Sequence, residues 1–496
     1  MSDQSSAQTA HVELPEGVPT QLFIAGEWRD SSSGETFEVL NPATGEVLAH
    51  VADATPEDGM AALDAAAEAQ AAWSRTPARE RGEILRRAWE LVQTYRTELA
   101  TTMTLEMGKP LSEADGEVTY GGEFLRWFSE EAPRIAGRYH PSPEGNLRQL
   151  VLKRPVGPCL FITPWNFPLA MGTRKIAPAM AAGCTSVLKP AMATPLTSLF
   201  LAKILQEAGV PAGVVNVVPA SRSQQLTGPL IQDSRLRKLS FTGSTGVGQA
   251  LLAEASHQVL KTSMELGGNA PFIVFDDADI DEAVKGAHAA KLRNMGEACT
   301  AANRFIVHES VAEQFTAALA DLFGSLVVGP GIDSGTHVGP VITDTARDEI
   351  HGLVQGAVEE GAQLATGGAV PEGPGYFYPP TVLAGVPRGA RILREEIFGP
   401  VAPVVTFSTE EEAIAIANDS EVGLASYVYT RDMDRVLRVI ELLEYGLVGV
   451  NQGVISNAAA PFGGLKQSGM GREGGVEGIE DYLETVYVGL PDPFRA

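Results

Sequence analysis

From Leu22 onward the chain alternates short apolar runs with polar turns, and F-I-A-G-E-W and F-E-V-L-N-P-A-T-G-E-V read as strands punctuated by N-P and T-G. Apolar positions then recur at three- and four-residue spacing, which predicts helices over 56–74, 77–106 and 112–136. Phe124, Trp127 and Phe128 form a stripe on the third, and a stripe at helical spacing packs inward more often than it cages a ligand. Segments 146–155 and 482–488 alternate as extended ribbons. Exposed strand edges need cover, so these two are expected to pair with each other or with a second subunit; the alternative is a solvent-exposed hairpin. Residues 1 to about 18 read as a loose tail.

Between 157 and 266 the pattern becomes short apolar strands (159–163, 185–188, 214–218, 238–241, 259–264) alternating with helices (about 171–182, 195–207, 223–232, 245–255). That alternation implies an α/β fold with a parallel, doubly wound sheet, whose ligands bind beyond the carboxyl ends of the strands. A second alternating region runs from 270 to about 452, with strands near 272–275, 305–308, 401–407, 426–430 and 447–451. Two doubly wound α/β domains sharing a cleft follow, with 266–269 as the crossing point.

The chemistry concentrates around K-L-R-N-M-G-E-A-C-T-A-A-N-R, where Cys299 sits in a small-residue loop between a helix (279–293) and a strand (305–308). A cysteine attacks only as thiolate, so it needs nearby N–H groups, a positive charge or a base. Glu265, in M-E-L-G-G-N-A-P, is the candidate base, at the end of an apolar strand and before two glycines that allow close approach. Taken alone, Cys299 reads more readily as an ordinary buried thiol, because buried cysteines are usually structural. P-W-N-F-P places Asn166 after strand 159–163 with the backbone restrained by prolines. A fixed amide facing a cleft suits an oxyanion, although an asparagine in a rigid turn is also common. L-S-F-T-G-S-T-G-V-G gives a strand, a turn with Gly243 and Ser244, and a helix start able to hold a phosphate; a plain tight turn is the other reading. Lys189 ends another strand of that sheet, where its ammonium can reach ribose or phosphate.

Composition narrows the setting. The 496 residues are 44% hydrophobic, enough for two to four domains, without an apolar run long enough to span a membrane. The N-terminus lacks a basic-then-apolar signal, so the cytoplasm is expected. Three cysteines (Cys159, Cys184, Cys299) without C-x-x-C or zinc spacing argue against a disulfide scaffold or a structural metal. A net charge of −25 disfavours nucleic acid and anionic membranes as partners, and means that an anionic substrate must be held by local positive groups.

P-W-N-F-P, F-T-G-S-T, M-E-L-G-G, G-E-A-C, E-E-I-F-G-P and P-F-G-G-L-K-Q-S-G-M-G-R-E, in that order over roughly 20–490, together resemble the aldehyde dehydrogenase superfamily. The resemblance implies Cys299 as nucleophile, Asn166 with the Cys299 N–H as oxyanion site, and Glu265 as the base that activates water. It implies a dinucleotide held by Thr163, Trp165, Lys189, Met192, Gly243, Ser244, Glu396 and Phe398. It also implies a dinucleotide domain (20–140 and 157–266), a catalytic domain (267–465), and an oligomerisation arm and tail (141–156 and 480–496), hence a homodimer or homotetramer.

Within the superfamily the chain looks most like the branch that oxidises succinate semialdehyde, on account of Arg174, Arg293 and Ser456. Two guanidiniums can clamp a carboxylate by paired charge-assisted hydrogen bonds. The alternative is that Arg174 caps a helix and Arg293 pairs with a surface acid. Many members carry an acid where Met192 stands, so no carboxylate repels a 2′-phosphate and NADP is tolerated or preferred alongside NAD. Some semialdehyde dehydrogenases have a second cysteine where Ala301 stands, so a disulfide switch there is not expected. The rival functions are a dehydrogenase for aromatic or other neutral aldehydes, a CoA-acylating enzyme, a catalytically silent binding protein on the same fold, and a papain-like hydrolase, the last weakened by the lack of a recognisable histidine motif.

Overall fold

Short apolar strands joined by helices must run parallel, because each helix carries the chain back across the sheet before the next strand begins. The computed structural model, which describes residues 13–494, follows that rule twice. The first sheet is eight-stranded, in the order Glu27–Arg29, Leu22–Ile24, Val215–Val217, Ser186–Lys189, Cys159–Ile162, Lys238–Thr242, Lys261–Glu265, Gly469–Met470. Its interior pairs from Val215–Val217 to Lys261–Glu265 are all parallel, and antiparallel strands close both edges. The second sheet is seven-stranded, ordered Gln363–Thr366, Thr381–Ala384, Val401–Phe407, Ala302–His308, Ala270–Val274, Ala425–Tyr429, Leu447–Val450, and is parallel apart from the first pair.

Several expectations shift locally. The helix predicted over 77–106 divides into Ala78–Thr94 and Arg96–Met107, because Tyr95 takes φ −91°, ψ 22°. The strand expected from 259 starts at Lys261: Val259 has φ 53° and is 88% exposed, so this apolar residue sits in the turn. Gln363–Thr366, Thr381–Ala384 and the two-residue Gly469–Met470 were not foreseen, the last because two residues carry no period. The ribbons expected at 146–155 and 482–488 do pair with each other: Leu483–Pro491 lies antiparallel on Leu147–Pro155, with Arg138–Pro141 on the far side. Of the expected N-terminal tail, residues 1–12 lie outside the described residues; 13–18 form turn and coil. Phe124 and Phe128 are fully buried in the largest core cluster, and Trp127 packs against it. Among the described residues no helix is long and apolar enough to cross a membrane.

The two sheets meet at the site. Glu265 ends its strand in register with Gly469, and the chain crosses through Leu266–Asn269 into the first strand of the second sheet. Ser468 braces the crossing: its carbonyl accepts from the Leu266 N–H at 2.8 Å and its hydroxyl donates to the Gly267 carbonyl at 2.7 Å.

Candidate active site

A cavity of about 240 Å³ opens where the strands of the first sheet end, lined by Trp165, Asn166, Met171, Thr242, Gly243, Ser244, Glu265, Leu266, Gly267, Cys299, Glu396 and Phe398. The structure therefore brings Cys299, Glu265 and Asn166 together from three separate segments. Cys299 is partly exposed there, whereas Cys159 and Cys184 are buried.

The loop bearing Cys299 has a local cause. Helix Ile280–Leu292 starts on Asp279, whose side chain accepts from the Glu282 N–H at 3.3 Å. It stops abruptly because Asn294, Met295 and Gly296 are all left-handed, with φ 56°, 54° and 79°. Such residues cost of order 1–3 kcal/mol each unless their surroundings hold them. Here the Asn294 amide donates to the carbonyls of Asn166 at 3.1 Å and Glu297 at 2.9 Å. Only a glycine fits at 296, since a methyl would lie 2.3 Å from the Gly399 carbonyl oxygen.

Electrostatically the cavity disfavours negative charge. Burial pushes the Cys299 thiol up to about 12; Arg174 and Arg293 pull it down, and the Glu396 and Glu265 carboxyls oppose them. Removal from water thus outweighs the two guanidiniums, so the thiol depends on a base to take its proton. Glu265 is raised well above the usual carboxylate range, first by burial and then by Glu473, and neither of its oxygens has a hydrogen-bond partner among the described residues. Asn166 donates one N–H to the Glu297 carbonyl at 3.0 Å, while its side-chain oxygen has no partner among the described residues.

Dinucleotide chemistry is tested by what surrounds the cavity. Ser244 begins helix Thr245–Ser256 without capping it, which leaves the first N–H groups free for an anion. Lys189 ends its strand, buried and pulled down to about 8 by desolvation, with Asp53 opposing. Thr163 donates its N–H to the Lys189 carbonyl at 3.2 Å. Met192 is half exposed in the turn beyond. Trp165 and Phe398 meet edge to face, with centroids 5.5 Å apart. Glu396 accepts from the Gly268 N–H at 3.1 Å, and a methyl on Gly267 would lie 2.7 Å from its other oxygen. A phosphate cradle, an unpaired ammonium and a glycine-walled aromatic slot fit a dinucleotide with a flat ring.

The two expected arginines are not equivalent. Arg293 stacks over Phe167 and Tyr120 (5.0 and 5.3 Å to the ring centroids) and donates to the Ser456 hydroxyl at 3.5 Å, so Arg293 and Ser456 do come together. Arg174 departs from the expected free clamp: it is fully buried, its Nε is bound by Glu473 and its guanidinium lies 4.1 Å from the Phe462 ring centroid. A buried cation requires a counter-ion, and Nη2 is buried without a hydrogen-bond partner among the described residues. Lys175 binds the same carboxylate at 2.6 Å. Burial works against the charge on Glu473, but these two cations outweigh it and hold the carboxyl below its ordinary range.

Sequence reasoning missed Lys175, Glu473, Asn294, Tyr120, Lys109 and Glu117. Glu473 lies inside G-M-G-R-E and Lys175 beside Arg174, so charged residues within otherwise apolar or glycine-rich runs were the available signal.

This thiol, carboxyl and amide around a dinucleotide-shaped cavity agree with the sequence relationship: residues 28–488 match the aldehyde dehydrogenase family, and the chain belongs to it. It is 63% identical over 449 residues to a succinate-semialdehyde dehydrogenase of Paenarthrobacter nicotinovorans, covering 90% of this chain and all of that one. It is 49% identical to a glutarate-semialdehyde dehydrogenase of Pseudomonas putida, over 94% of this chain and 97% of the other. The crystal structure of an E. coli NADP-dependent enzyme superposes with a TM-score of 0.94 at 48% identity, covering 95% of this chain and 98% of that one.

Proposed function

We propose that this protein oxidises succinate semialdehyde to succinate with NADP or NAD. The observation that carries the reading is the meeting of Cys299, Glu265 and Asn166 in one cavity with guanidiniums close by. Relatives named for semialdehydes of dicarboxylic acids support the substrate class.

In this reading Arg293 and Ser456 hold the substrate carboxylate, and the buried charge of Arg174 nearby adds to the positive field. Cys299 gives up its proton to Glu265, the candidate base, which passes it to solvent, and the sulfur attacks the aldehyde carbon to form a thiohemiacetal. The uncommitted N–H of Asn166 and the backbone N–H of Cys299 stabilise the oxyanion. A bound nicotinamide dinucleotide supplies the hydride acceptor; Ser244 with the helix start, Lys189 and Glu396 would hold its phosphate and riboses, and Trp165 and Phe398 its ring. Glu265 then takes a proton from water, which hydrolyses the thioester. A carboxyl lifted toward neutrality by burial is a stronger base than an ordinary one, which suits this role. We further propose cytoplasmic residence, a dinucleotide-binding part (20–140 and 157–266), a catalytic part (267–465), and a homodimer or homotetramer joined through the arm at 141–156 and 480–496. The three-stranded sheet of Arg138–Pro141, Leu147–Pro155 and Leu483–Pro491 supports the last point.

NAD(P)H absorbance with a panel of aldehydes tests the reading. Succinate semialdehyde should be turned over fastest, and glutarate semialdehyde, one methylene longer, within ~10–200-fold of it. Arg293→Ala should raise KM for succinate semialdehyde ~10²-fold, the loss expected when one partner of a desolvated charge pair is removed, and leave propanal nearly unchanged. Faster oxidation of benzaldehyde, or full activity in Cys299→Ala, would sink it.

A further inference from the structure

We propose that Lys109 is a positioning residue for the aldehyde chemistry, holding Asn166 through that residue's backbone carbonyl. The inference rests on the reading of Asn166 as oxyanion donor. Helix Arg96–Met107 ends on Gly108 at φ 94°, and this left-handed turn aims Lys109 into the protein, where its side chain is 1% exposed. All three directions of the ammonium are occupied: Glu117 at 2.5 Å, the Asn166 carbonyl at 2.8 Å, and the face of Phe167 with its centroid at 4.3 Å.

Glu117 completes the grip. Its other oxygen accepts from the N–H groups of Leu169 at 2.9 Å and Ala170 at 3.1 Å, at the start of the helix that carries Arg174. The pair therefore holds the loop from Asn166 to Ala170 at both ends, by a carbonyl at one and by amides at the other. Asn294 donates to the same Asn166 carbonyl, and the Asn166 amide donates to Glu297, two residues before Cys299. One connected set of hydrogen bonds thus ties the oxyanion donor to the nucleophile's own loop, and Lys109 is its only cation among the described residues.

Stability alone does not call for this arrangement, since well-packed apolar replacements of buried ion pairs are often neutral or stabilising. A purely structural pair would be dispensable once neutralised; a positioning pair would not. The test compares wild type with Lys109→Met, the neutral pair Lys109→Met/Glu117→Gln, Asn166→Ala, and Lys109→Met/Asn166→Ala. The neutral pair should fold by circular dichroism and bind NADPH with unchanged affinity. Its kcat should fall ~10²-fold, the cost of misplacing a reacting group by about 1 Å, with little change in aldehyde KM. Asn166→Ala should lose ~10²–10³-fold, and adding Lys109→Met to it should lose far less than the product of the single effects. A folded neutral pair with wild-type kcat, multiplicative losses, or a neutral pair that cannot fold would each make Lys109 a stability element and overturn the proposal. Wild-type kcat in Asn166→Ala would instead defeat the oxyanion reading on which it rests.

Discussion

A carboxyl group taken out of water must find compensation or keep its proton, and Glu396 finds little: one backbone N–H and the field of Lys291, itself buried without a hydrogen-bond partner among the described residues. Burial lifts Glu396 from 4.5 to about 7, against the pull of the Gly268 N–H and of Lys291. The same burial brings the Lys291 ammonium down to about 7. Because the folded pKa of Glu396 lies above the unfolded one, the native state binds its proton more tightly. Its favourable share of stability is complete below about pH 4.5 and is lost as pH rises toward 7. Glu396→Gln keeps the shape without the charge. At 1.36 kcal/mol per pKa unit, it should gain about 3 kcal/mol on wild type between those pH values. Urea titrations of both proteins at pH 4.5, 6 and 8 measure the difference; a gap that does not change with pH would refute it.

At the scale of elements, the turn Asn294–Met295–Gly296 decides where Cys299, the proposed nucleophile, stands. Three left-handed residues in a row reverse the chain within one helical turn, and backbone packing against Gly399 leaves no room for a side chain at 296. Gly296→Ala forces a Cβ to 2.3 Å from that carbonyl oxygen, so the loop must move. We expect a stability loss of about 1–3 kcal/mol and a kcat loss of ~10²-fold from displacement of Cys299, read by thermal unfolding and steady-state kinetics on one preparation. Phe398, the aromatic partner of Trp165, is also left-handed, at φ 48°. One wall of the aromatic slot and the loop that carries Cys299 therefore depend on backbone geometry that a helical or strand period does not report.

At the scale of the molecule, the three-stranded arm stands apart from both large sheets and exposes Tyr139, Tyr487 and Leu490. Strand Leu483–Pro491 is paired along its whole length on one side only among the described residues, and an uncovered edge beside exposed aromatics supports the proposal that a second copy docks there. Truncation after residue 482 should therefore yield a monomer by light scattering while leaving the secondary structure of the two large sheets intact. An unchanged molar mass per particle would remove the arm from the assembly.

Local spacing, read without any structure, was enough to place all but one of the interior parallel strands, most of the helices, the pairing of the two extended ribbons as one of the options, and a thiol, a carboxyl and an amide at the ends of chain segments. Those features follow from near neighbours, because strand and helix periods and glycine turns are written within a few residues. Other features were settled only when distant segments met. Arg174 found Glu473 299 positions away, Lys109 found Asn166, and Gly469–Met470 returned to close the sheet beside Glu265. The reason is desolvation: how much a buried charge costs, and which partner must offset it, depends on three-dimensional surroundings that no stretch of sequence contains. That is also why Cys299 could be singled out from its sequence neighbours while the rise in its pKa is set by the tertiary surroundings.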